Sequence, residues 1–247
     1  MEDFSARIFI RHAWMQTRAV QTRPIFIRTA IKTVQESLIF DLDGTLWDAI
    51  DACVVAWNNV LRQENISSPV DRTQLLTSMG KTEPEICELY FTHLPFLERR
   101  ELLQKCFARE IPTFYKTPPM VYPGVLEGLR KLQSRYRLAI VSNCQRGYLD
   151  AFMDLNGLGD TFDFTLCFED TGEPKAENLQ TAITQLELPV AGFIGDTLSD
   201  QRAADSARCP FYFASYGFGA VEKSLKVFSD FSELTDFFNN MVSARPS

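Results

Sequence analysis

From Leu38 onward the chain alternates short apolar runs with stretches in which apolar residues recur every three or four positions. Short apolar runs fit strands covered on both faces, and the longer period fits helices packed against them. The predicted strands are 38–41, 137–142, 164–168, 191–195 and 210–214. The predicted helices between and after them are 125–133, 148–156, 176–187, 199–207 and one near 232–240. This order predicts βαβ units and an α/β fold, a Rossmann-like, mostly parallel sheet.

One interval breaks the rhythm. Between the first strand and Val121 lie about 75 residues without a convincing strand, far beyond an ordinary strand-to-helix loop. Helical patterns recur there around 52–64, 72–78, 83–93 and 96–115, and Pro118-Pro119 and Tyr122-Pro123-Gly124 punctuate the return to the sheet. The expected organisation is a core from 37–47 and 121–247, with an all-helical insertion over 48–120. Placed directly behind the first strand, that insertion can close over its end as a cap. Residues 1–36 read differently: six cations (Arg7, Arg11, Arg18, Arg23, Arg28, Lys32) face only Glu2, Asp3 and Glu36. An organelle transit peptide avoids acids where Glu2 and Asp3 stand, so the expectation is a poorly packed basic extension, with Met15 an alternative initiator.

Composition narrows the function. The chain is 45% hydrophobic and 23% charged, as in ordinary globular domains, and carries a net charge of −7. That charge argues against nucleic acid or an anionic membrane as partner, and no apolar stretch is long enough to span a bilayer. Cys53, Cys87, Cys106, Cys144, Cys167 and Cys209 are scattered singly, without zinc-ligand spacing, and read as buried thiols of a reducing cytoplasm. With His12 and His93 the only histidines, histidine-based triads and metal sites are nearly excluded.

Four polar clusters remain, and each is read as following a predicted strand. They are Asp41-Leu42-Asp43-Gly44-Thr45, Ser142-Asn143, Lys175 within Gly172-Glu173-Pro174-Lys175, and Gly195-Asp196-Thr197-Leu198-Ser199-Asp200. Ligands of open parallel sheets bind beyond the carboxyl ends of strands, so one pocket can hold all four. A carboxylate can attack phosphorus and divide a hard displacement into two easier ones. Repulsion between that carboxylate and an anionic phosphoryl group needs local cations, and Mg²⁺ favours carboxylate and phosphate oxygens. Asp196 is the natural second carboxylate ligand, with Asp200 to ligate or orient. Lys175 offers fixed positive charge, Ser142 and Asn143 offer donors, and Asp43 can act as acid and base. Each cluster alone is ordinary turn or cap chemistry; the set in this order points to phosphoryl transfer.

Phe40-Asp41-Leu42-Asp43-Gly44-Thr45-Leu46 resembles the first motif of the haloacid dehalogenase superfamily. Ser142-Asn143, Lys175 and Gly195-Asp196-x-x-x-Asp200 resemble its second, third and fourth motifs. The resemblance spans about residues 37–240. It implies that Asp41 is the nucleophile and Asp43 the acid/base. It also implies Mg²⁺ held by Asp41, the Asp43 carbonyl and Asp196, with Asp200 in support and Gly44, Thr45 and Asn143 near the substrate. Members that dehalogenate or cleave phosphonates lack an acid at the place of Asp43, so its presence points to phosphate monoesters. The stretches Ser142-Asn143-Cys144-Gln145-x-Gly147-Tyr148 and Gly195-Asp196-Thr197 are most similar to the phosphoglycolate phosphatase-like branch. The β-phosphoglucomutase branch is nearly as similar.

The expectation is a Mg²⁺-dependent phosphatase for a small phosphoglycolate-like or sugar phosphate ester. The alternatives are a phosphomutase using the same aspartyl-phosphate and a non-catalytic binding protein, which the presence of Asp41, Asp43, Lys175 and Asp196 disfavours. Substrate choice is expected in the insertion. Lys81, in Met79-Gly80-Lys81-Thr82, either meets an anionic substrate group or is a solvated turn lysine. Trp47 and Trp57 read as packing residues, and Arg99-Arg100 as solvated surface. Oligomeric state is not encoded.

Overall fold

The computed structural model describes residues 36–243. The extension expected over 1–36 lies outside the described residues except for Glu36, which opens β1 (Glu36–Phe40). Strands β4 (Tyr136–Ser142), β5 (Phe164–Cys167), β6 (Val190–Gly195), β7 (Phe211–Ala214) and β8 (Val227–Phe228) complete a six-stranded sheet in the order β5-β4-β1-β6-β7-β8. Every pairing in it is parallel.

The apolar runs are continuous because both faces are covered. Leu38 and Phe40 enter one large apolar cluster, while Ile39 between them joins Ala139, Val141 and Phe193 in a second. Helices α5 (Val125–Leu132) and α10 (Phe231–Ser243) contribute Leu129, Leu132, Leu234 and Phe238 to the first cluster. On the other face α8 (Lys175–Leu186) and α9 (Leu198–Ala207) bring Leu179, Ala182, Leu186 and Ala204 to the second. Helix α6 (Tyr148–Asn156) follows β4, and the single turn α7 (Phe168–Thr171) follows β5. The predicted strands and core helices all form, with ends displaced by a residue or a few.

The first strand stops at Phe40, one residue before the expected end. Beyond Asp41 the backbone folds on itself: Leu46 N donates to Leu42 O (2.8 Å) and Gly44 N to Trp47 O (2.9 Å). A turn therefore delivers Asp41 and Asp43, not the pleat of an extended strand.

The insertion contains two strands that the periodicity missed. Residues Trp47–Asp48 (β2) and Met120–Val121 (β3) form an antiparallel pair where the chain leaves and re-enters the core. Between them run α1 (Ile50–Gln63), α2 (Arg72–Leu76), α3 (Glu83–Cys87) and α4 (Phe96–Phe114). Helix α2 ends sooner than expected because the backbone tightens, Thr77 N donating to Gln74 O and Ser78 N to Leu75 O, and Gly80 then adopts φ +75°. Helix α3 starts from a Thr82–Glu85 capping box and closes after five residues.

Two aromatic groups organise this half. Trp57 on α1 packs its ring against Tyr90, Phe91 and Phe107, with ring centroids 5.1 to 6.4 Å away. Trp47 on β2 packs edge-on against Phe114, Tyr148 and Phe152, joining the insertion to α6 of the core. Arg99 departs from its solvated expectation: it is largely covered, lies over the Phe96 ring and pairs with Glu88 at 3.7 Å, whereas Arg100 is exposed.

Candidate active site

Asp41 leaves the end of β1, the strand between β4 and β6, and its N–H donates to Ile194 O at 2.8 Å. That is the crevice of a parallel sheet where neighbouring connections diverge to opposite sides. Lys175, the first residue of α8, is buried and donates from Nζ to Asp41 Oδ1 (2.7 Å) and Asp200 Oδ1 (2.6 Å). It follows a helix turn and Pro174, not a strand end as expected.

Asp200 owes its position to the cap of α9. Thr197 donates to Asp200 Oδ2 from both backbone N (3.0 Å) and Oγ1 (2.6 Å), so both oxygens of this carboxylate are engaged. Asp196, wholly buried at the end of β6, accepts from Phe218 N at 2.7 Å, while Thr45 Oγ1 stands at 3.5 Å from its other oxygen. Gly44 (φ +85°) passes so close to this carboxylate that a Cβ there would overlap it.

One carboxylate oxygen each from Asp41, Asp196 and Asp200 lie within 4.8 Å of one another. Three buried carboxylates thus converge, and one ammonium bonds two of them. Burial and the neighbouring charges raise the Asp196 pKa well above the usual carboxylate range, and burial, then Asp200, push Asp41 up to about 6 against the pull of Lys175. The same carboxylates hold Lys175 protonated despite its burial. An all-oxygen, electron-rich donor set in excess over its cation fits a hard divalent ion such as Mg²⁺.

Asp43 lies apart from that group. Its Oδ1 accepts from Trp47 Nε1 (2.9 Å) and Tyr148 OH (3.1 Å). Burial, then the charge of Asp41, push it up to about 7, against these two donors. A carboxyl group near that value can give and take a proton at neutral pH.

A cavity of about 90 Å³ opens onto these residues. Asp41, Asp43, Ser142, Asn143 and Lys175 line the sheet side; Trp57, Met79, Gly80, Lys81 and Glu110 line it from the insertion. Lys81 thus reaches the cavity and forms no ion pair among the described residues. Asn143 Nδ2 donates to Gly80 O at 2.8 Å, tying the loop after β4 to the turn before Lys81. The Asn143 Oδ1 is buried without a partner.

Sequence reasoning missed Tyr148, Gln145 and Glu110. Trp57 was assigned to packing alone, yet its Nε1 donates to Glu110 Oε1 at 2.6 Å. Gln145 Nε2 donates to Glu110 Oε2 (3.1 Å) and to Phe107 O (2.9 Å). A signal for Glu110 existed: it falls on the buried stripe of α4 with Leu103, Cys106 and Phe114, where an acid is out of place.

A parallel sheet with aspartates, a lysine and a cavity gathered beyond its strand ends is the setting of an α/β enzyme site. The chain belongs to the haloacid dehalogenase-like hydrolase family, whose profile matches residues 38–214. It is an enzyme of that family, of the phosphatase kind. Among its relatives, a phosphoglycolate phosphatase of Rhodobacter capsulatus is 29% identical over 211 residues, covering 80% of this chain and 94% of that protein. A probable phosphatase, IndB, of Dickeya dadantii is 28% identical, covering 84% and 92%. A solved structure, the putative phosphoglycolate phosphatase of Lactobacillus plantarum, shares the fold with a TM-score of 0.70 at 23% identity, covering 83% of this chain and all of that one.

Proposed function

We propose that the protein is a Mg²⁺-dependent phosphatase that hydrolyses a small phosphate monoester through an aspartyl-phosphate on Asp41. The observation that carries this reading is the buried convergence of Asp41, Asp196 and Asp200, with Lys175 bonded to Asp41 and Asp200, where Asp41 and Lys175 line a cavity. Asp41, the Asp43 carbonyl and Asp196 would hold Mg²⁺, with Asp200 in support. Bound there, the ion supplies positive charge that offsets repulsion between Asp41 and the phosphoryl oxygens.

Lys175 fixes the rotation of the Asp41 carboxylate through Oδ1 and supplies charge of its own. An Asp41 oxygen attacks phosphorus as the bond from phosphorus to the ester oxygen breaks. Asp43, protonated and held by Trp47 and Tyr148, gives its proton to the departing oxygen. In the second half Asp43, now a carboxylate, takes a proton from water as that water attacks phosphorus, and inorganic phosphate and free Asp41 result. Ser142 and Asn143, which line the cavity, would donate to the phosphoryl group, and Thr45 would act from beside Asp196. The helices over 48–120 act as a cap that excludes water and carries specificity, with Lys81 facing the anionic substrate.

The test is phosphate release from a panel of small phosphate esters, with Mg²⁺ and with a chelator, for the wild type and Asp41→Asn. Release that requires Mg²⁺ and falls at least about a thousandfold in the variant is expected. Chelator-resistant turnover, or substantial turnover by Asp41→Asn, would sink the proposal.

A further inference from the structure

The proposed chemistry uses the acids at the sheet edge and leaves one buried acid of the cavity wall unused. Glu110 stands on α4, across the cavity from the aspartates, and only 6% of it is exposed. A buried carboxyl group is costly unless it is held, and this one is held on both oxygens, by Trp57 and by Gln145. The two holders come from different halves of the molecule, Trp57 from the insertion and Gln145 from the loop after β4. Glu110 therefore has its place fixed in the cavity wall with lone pairs to spare, since a carboxylate has about four acceptor sites.

Cys53, which also hydrogen-bonds this carboxyl group, lines the cavity with it, as do the rings of Trp57 and Phe107 and the side chain of Ile86. Among the lining residues the only cations are Lys175, held between Asp41 and Asp200, and Lys81. Lys81 follows Gly80, whose carbonyl takes the Asn143 amide, so it enters beside the loop expected to meet the phosphoryl group. Among the described residues no cation pairs with Glu110.

We propose, on the phosphatase reading above, that Glu110 selects the alcohol half of the ester by hydrogen-bonding a hydroxyl or ammonium group on it. Preferred substrates are then polyol, sugar or amino-alcohol phosphates, and a carboxylate-bearing ester such as phosphoglycolate is disfavoured. Two observations support this direction. A second carboxylate on the substrate would have to share the cavity with Glu110 and Asp43. Burial also pushes Glu110 up to about 8, so this part of the cavity already resists one negative charge and would resist two. A hydroxyl group, both donor and acceptor, suits the carboxyl group in either protonation state.

The experiment compares kcat/KM with Mg²⁺ for esters of matched chain length: ethyl, 2-hydroxyethyl and 2-aminoethyl phosphate, phosphoglycolate, and their longer homologues. The wild type is expected to favour the hydroxyl or amino ester over both the alkyl and the carboxylate ester by about tenfold or more. Glu110→Gln should raise phosphoglycolate relative to ethyl phosphate, and Glu110→Met should remove the advantage of the hydroxyl or amino ester over ethyl phosphate. A preference that Glu110→Gln abolishes assigns the ammonium class; one that it retains assigns the hydroxyl class. Wild-type preference for phosphoglycolate, a measurement that needs no variant, would overturn the proposal, as would a folded Glu110→Met that keeps the wild-type advantage of the hydroxyl or amino ester. Failure of the underlying reading looks different: no phosphate release from any ester, p-nitrophenyl phosphate included.

Discussion

Asp41 and Asp43 are two residues apart yet meet different partners. Lys175 fastens Asp41, whereas Asp43 accepts from Trp47 and Tyr148 and is pushed up to about 7. Charge stabilisation favours the first as nucleophile, and neutral donors favour the second as proton carrier. Asp43→Asn should therefore slow alkyl esters, whose departing oxygen needs a proton, by about a hundredfold or more, and aryl esters much less. Steady-state rates on an alkyl and a p-nitrophenyl ester check this; equal losses would remove the acid role. Glu110 makes a second prediction at this scale. Its folded pKa lies near 8 against an ordinary 4.5, so between those values the folded state binds more protons than the unfolded one. Stability from this group is full below pH 4.5 and is lost as pH rises through about 8, a few kcal/mol at about 1.4 per unit. Urea midpoints should fall across that window for the wild type and fall less for Glu110→Gln; parallel curves would mean that Glu110 is not buried as described.

Among the elements, the core was legible and the insertion only partly so. Strands β1, β4, β6 and β7 announce themselves because each is an apolar run covered on both faces, and α6 and α9 because their ends carry glycine and Thr197. The pair β2–β3 has two residues on each side, too few for any period, and exists only because distant segments meet. The clusters at Asp41, Ser142 and Asp196 were legible because a motif read at a strand end has a known direction, whereas Lys175 follows a helix turn. Tyr148 and Gln145 were not legible, since their value depends on Asp43 lying opposite the first and Glu110 of α4 opposite the second. Helix α4 shows the limit most plainly, because Glu110 has no chemical identity until Trp57 on α1 donates to it. Trp57→Phe keeps the ring packing but strips that donor from a buried carboxyl group. A loss of about 1–3 kcal/mol in urea unfolding is expected, and a neutral effect would show that the hydrogen bond carries no net weight.

At the scale of the molecule, a sheet with covered faces supports a rigid half-site, and helices entering through β2 and leaving through β3 supply the other half. The cavity lies at their seam. Asn143 to Gly80 and Gln145 to Glu110 cross it, so the loop that follows β4 touches both halves at once. On the proposed reading the chemistry belongs to the sheet edge and the choice of substrate to the insertion. The proposed chemistry rests on one covalent event, transfer of a phosphoryl group to Asp41. The most direct measurement is acid quench of the enzyme turning over a good ester with Mg²⁺, followed by low-pH digestion and mass spectrometry of the peptide spanning residues 38–46. The covalent route requires a fraction of that peptide to gain the mass of one phosphoryl group, located on Asp41 and absent from Asp41→Asn. Turnover with an unmodified Asp41 peptide at every quench time, or with the phosphoryl group on another residue, would contradict it.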